Sequence, residues 1–115
     1  MRPDTAPLID DSVFLMVCEA LPVTRKAAIL EAFAADLRHF SREIREASDA
    51  GDAERTSRAC HALLGAAGNL GALAIVAQLE AFKAPRSASV QSASPHLEAL
   101  VEATISRMQT LSAPE

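Results

Sequence analysis

The 115-residue chain has no tryptophan, no tyrosine and only four phenylalanines, which speaks against a sheet protein and leaves no array of rings on which nucleobases could stack. Its 11 lysines and arginines are outnumbered by 15 aspartates and glutamates and scattered among them. The formal charge of −4 and the lack of a basic face exclude nucleic acid as the expected partner. No apolar run reaches the roughly 18 residues that cross a bilayer, so no membrane role is expected. The N-terminus, with Asp4, Asp10 and Asp11, lacks the charged-then-apolar order of a signal peptide, so a cytoplasmic protein is expected. The two cysteines, Cys18 and Cys60, fit no metal spacing and read as reduced, buried small hydrophobes. With four glycines there is no glycine-rich phosphate loop ending in Lys-Ser or Lys-Thr, and no nucleophile elbow, so ATP binding is not expected.

What is present is alanine, leucine and helical periodicity, with 50% hydrophobic residues, enough for one core. Asp10, Asp11 and Ser12 cap a short first helix that carries Val13, Phe14, Val17 and Leu21 inward until Pro22 ends it. Leu30, Phe33, Leu37, Phe40, Ile44 and Ala47 keep a three-four spacing, which predicts a long helix over about 23–50 with Gly51 as its stop. Asp52 caps a third helix running through His61 to about Gly68, followed by a turn at Asn69 and Gly71. A fourth helix places Ala72, Ile75, Val76, Leu79 and Phe82 on one side and ends before Pro85, because the residue preceding a proline resists the α conformation. Residues 84–93 read as a loop, and Ser94-Pro95 as the cap and first position of a last helix with Leu97, Leu100, Val101, Ile105, Met108 and Leu111 inward.

Short connections between such helices predict an all-α fold, an antiparallel up-down four-helix bundle with a short extra N-terminal helix across one end. Residues 1–115 form one domain with flexible ends at about 1–7 and 112–115. The stripe of the long helix is needed inside the bundle, so a monomer is expected.

On the third helix Thr56, Cys60, Leu63, Leu64 and Ala67 share a core stripe, and His61 falls outside it. Gly65 and Gly68 lie on the histidine's own strip, with Ser57 and Arg58 one turn earlier. A glycine inside a helix costs about 1 kcal/mol relative to alanine, so Gly65 needs a reason. Clearing the surface for another protein's reactive group is one; close packing of a neighbouring helix is the other. Gly68 also reads as a helix C-cap. A catalytic pair of Cys60 with His61 is disfavoured, because adjacent helical residues point about 100° apart. An exposed neutral imidazole, with an unperturbed pKa of about 6.5, keeps one ring nitrogen free to attack phosphorus. His39 and His96 have no partner at i, i+4, so no metal site is expected.

Residues 52–83 resemble the histidine-containing phosphotransfer (HPt) domain, whose motif reads His-x-hydrophobic-Lys-Gly-x-small-x-x-x-Gly. His61, Leu63, Gly65, Ala67 and Gly71 fill it. The resemblance implies that His61 is the residue phosphorylated, in a carrier without independent turnover. Its implied partners are the receiver domains of response regulators and hybrid sensor kinases, with magnesium on the receiver and no cofactor on this chain. The family lysine three residues after the histidine is Leu64 here, an apolar contact for a docking partner. The position 22 residues after the histidine, often polar in the family, is Lys83; with Arg86 and Arg58 it is expected to neutralise a phosphate of about −2 charge. Lys83 reads equally well as a cation favourable in the last turn of a helix. The alternative function is an HPt-like docking module that binds a receiver or kinase without being phosphorylated, favoured by Leu64.

Overall fold

Two of the predicted caps form as their residue types dictate. Asp10 and Asp52 adopt extended backbone before helices, and their carboxylates accept from the backbone N–H of Val13 at 3.3 Å and of Arg55 at 3.0 Å. A computed structural model describes residues 7–82 and 87–113, leaving aside the side chains of residues 87–89. It contains α1 (Asp11–Ala20), α2 (Lys26–Asp49), α3 (Ala53–Leu70), α4 (Leu73–Ala81) and α5 (Ser87–Ser112), with no strand among the described residues. The expected flexible ends lie mostly, and Lys83 and Arg86 wholly, outside the described residues.

α2 is the element that packs most extensively, against α3 on one side and α5 on the other, while α1 meets α5 and α3. Leu37 and Ile44 of α2, Leu63 of α3, Ile75 of α4 and Leu97 of α5 are fully buried together with Phe14 of α1. Around this core, Arg38 pairs with Glu102 at 2.8 Å and Arg45 with Glu98 at 3.0 Å, tying α2 to α5, and Arg55 binds Glu43 between α3 and α2. These partly exposed pairs contribute little stability each.

Four expectations are corrected. α3 does not end near Gly68 but runs to Leu70, which is buried, and the left-handed residue that stops it is Gly71 at φ +73°. The α3 stripe is centred on Thr56, Ala59, Leu63, Ala67 and Leu70, so Cys60 and Leu64 sit at its half-buried edge. In α1 the inward residues are Phe14 and Cys18, whereas Val13 is 37% exposed. Residues 87–93 are not loop: α5 begins at Ser87 and carries Pro95 inside it. Here a continuous stripe, Val90, Ser94, Leu97 and Val101, all buried, overrides the local cap signature, and the Ser94 hydroxyl donates to the Val90 carbonyl at 2.9 Å within the helix. Proline gives up its own helical hydrogen bond there, a cost that burial of the stripe offsets.

One polar group in the interior is unmatched. Thr104 of α5 is 0% exposed and its hydroxyl has no hydrogen-bond partner among the described residues. Thr104→Val, which keeps the shape and removes the stranded hydroxyl, is expected to raise stability by about 1 kcal/mol in urea unfolding, and a loss instead would reveal a partner for that hydroxyl.

Candidate functional site

The 18-residue helix α3 decides what is presented and what is hidden. Its motif positions divide cleanly: Leu63 and Ala67 are at 0% exposure, whereas His61 and Gly65 stand on the outer face. His61 is exposed. A Cβ added at Gly65 or at Gly68 would meet no packed neighbour within 4 Å among the described residues. Among the described residues no helix packs closely on either glycine, so the close-packing reading of Gly65 falls away, and the C-cap reading of Gly68 falls because α3 runs on to Leu70. What remains is a bare strip beside the imidazole, maintained against the preference of a helix for alanine.

That preference makes a direct test. Gly65→Ala is expected to raise folding stability by about 0.5–1 kcal/mol in denaturant unfolding, because the fold does not use the glycine. Destabilisation would show that it does.

Of the supporting residues, Ser57 and Arg58 are exposed one turn before His61, and Leu64 is half-buried, packed against the core from the edge next to the imidazole. Leu64 therefore offers only part of its surface outward. A group that the spacing of the motif did not signal is Glu43 on α2. A hydrogen bond from Arg55 holds its carboxylate below the usual range, with smaller contributions from His39 and Arg58. Arg58 thus has an acid within electrostatic reach before any phosphate arrives. Only the ordering of α2 against α3 reveals this.

Cys60, next to His61 in sequence, is half-buried, and burial raises its thiol above the ordinary value. It is therefore poorly suited to be a nucleophile. His39 is exposed, with its ring edge-on to Phe40 at 5.4 Å between centroids, and His96 is exposed on α5. Among the described residues no cluster of three or more histidines, cysteines, aspartates or glutamates is placed to hold a metal. No helix among them is long and apolar enough to cross a membrane.

An all-helical domain with one accessible imidazole beside two side-chain-free positions defines a class, the helical modules that offer a histidine to other proteins. Residues 28–111 match the Hpt domain, and the chain belongs to that family of histidine phosphotransfer modules in phosphorelay signalling, which carry phosphate and are not true enzymes. Members interact with receiver domains. No curated protein and no solved structure matches the chain. The match covers α2 from its first turn through α5 and leaves α1 outside it.

Proposed function

We propose that the protein is a phosphocarrier of a multistep His-Asp phosphorelay, taking a phosphoryl group onto His61 from a receiver aspartate and passing it to another receiver. The observation that carries this reading is the exposed His61 with open space at Gly65 and Gly68. A lone pair on an imidazole nitrogen attacks phosphorus; the new N–P bond forms as the P–O bond to the receiver aspartate breaks, and the aspartate leaves as a carboxylate. The second transfer is the same step reversed on a different receiver.

Such transfers depend on positioning and charge neutralisation more than on covalent work by the protein. The receiver would bring its own magnesium, and Arg58 and Lys83 would supply cations from this side. Leu64, the half-buried neighbour, and the exposed edges of α1 and α2, including Leu15 and Met16 at 42% and 69% exposure, fit a transient, largely apolar contact. The antiparallel up-down arrangement belongs to the same reading: rising positions on α2, Arg38 and Arg45, pair with falling positions on α5, Glu102 and Glu98, which supports opposite helix directions. The domain works as a monomer in the cytoplasm.

The alternative, a docking module that is not phosphorylated, is favoured by Leu64 standing where the family has lysine. Mixing the chain with a phosphorylated receiver separates the two. Acid-labile, alkali-stable label on this protein supports the carrier, and slower labelling of Lys83→Gln at unchanged folding supports that lysine's role. Binding without label supports the docking module, and an unchanged rate in Lys83→Gln removes that residue from the site.

A further inference from the structure

On a side of the bundle to which α3 contributes no lining residue, the start of α2 and the end of α5 leave a groove of about 550 Å³ between them. That volume lies within the range of small-molecule sites, which are concave, mostly apolar and furnished with few polar groups. Val23, Leu30, Ile105, Met108 and Leu111 make its apolar lining, with no aromatic ring among the lining residues. From Lys26 to Ala34 on α2, and from Ile105 to Ala113 beside it, the groove runs for about 12 Å at the helical rise. Val23 at its rim is 91% exposed, an apolar side chain left in solvent.

The charge of the groove is as informative as its shape. Among the described residues Lys26 is the only ionisable one lining it, Gln109 and Ser112 are neutral, and none of them is a carboxylate. Arg38, Arg45, Arg55 and Arg107 each bind an acid, whereas Lys26 is half-buried without an ion pair among the described residues. A half-buried lysine with no ion pair among the described residues, beside an aliphatic trough, suits a ligand that has both an apolar and an anionic part. One lysine balances a single negative charge and leaves a phosphate, at about −2, undercompensated. A straight chain, rather than a ring system, matches an aliphatic wall that includes an adaptable methionine.

We propose that this groove is a binding site for an aliphatic monocarboxylate, its alkyl chain laid between α2 and α5 and its carboxylate paired with Lys26. The site is separate from the phosphotransfer reading and stands or falls without it. Decanoate titrated into the 15N-labelled full chain is expected to shift amide resonances of residues 23–34 and 105–113. Decanol, with the same tail and no charge, and decyltrimethylammonium, with the opposite charge, are expected to bind at least tenfold more weakly. Lys26→Gln is expected to weaken decanoate at least tenfold, and Ala27→Phe, which fills the groove from an exposed helix position, to abolish the shifts; the unliganded spectra of both variants confirm that they fold. Decanol binding as tightly as decanoate, shifts centred on α1 or α3, or no shifts at all would each overturn the site.

Discussion

Replacing His61 by glutamine is expected to abolish uptake of acid-labile phosphate from a phosphorylated receiver, while the stability of the domain changes by less than about 0.5 kcal/mol. The two halves of this result rest on one fact, that the imidazole is exposed and is no part of the core. Glutamine keeps a polar side chain of similar reach on the same helical turn but has no ring nitrogen with a lone pair to form the N–P bond. Surface substitutions away from caps, cavities and buried networks rarely move stability further than this. Label that survives in His61→Gln would place the phosphate on another residue, with exposed His39 and His96 as the first to examine, and would overturn the assignment.

Gly71→Val is expected to cost about 2–5 kcal/mol, a large part of the stability of an ordinary domain, and to lower the melting temperature by about 10 °C or more. Gly71 ends α3 at φ +73°, a conformation that β-branched residues scarcely adopt. Space compounds the strain, since an added Cβ would lie 2.9 Å from the Val13 Cβ and 3.3 Å from the Asp10 carbonyl oxygen. The Gly71 carbonyl also accepts the Asp10 N–H at 2.8 Å, so the end of α3 and the start of α1 are built as one unit. Urea unfolding measures the loss. In a Gly71→Ala background, Val13→Ala is expected to recover part of it, which separates the clash from the backbone strain. A Gly71→Val protein as stable as the parent would show that α1 does not hold its place against this turn.

Sequence reading reaches furthest where one residue type has one physical role. Asp10 and Asp52 announce helix starts, Gly51 announces a stop and does adopt φ +69°, and the three-four spacing of α2 marks its buried face, with Leu37 and Ile44 at 0% exposure. His61 off the α3 stripe is legible for the same reason. Reading fails where two local signals compete. Gly68 and Gly71 are both plausible ends, and only Leu70, buried against the rest of the core, carries α3 onward to the second. Ser94-Pro95 has the chemistry of a helix start, yet the buried stripe from Val90 to Leu97 needs helix on both sides of the proline. The ties among Glu43, Arg55 and Arg58 join residues of different helices, and no spacing within one helix reveals them.

The docking of α1 bears on where this module can be cut. The stretch shared with the family begins at residue 28, yet Phe14 at 0% exposure and Cys18 at 5% fill the interior from outside it, and Arg107 reaches out of the shared stretch to Asp11. Emptying a fully buried phenylalanine site alone costs on the order of 3–5 kcal/mol. A piece trimmed to residues 28–111 would therefore lose part of its own interior, and α1 is a keystone over the far end of the histidine helix.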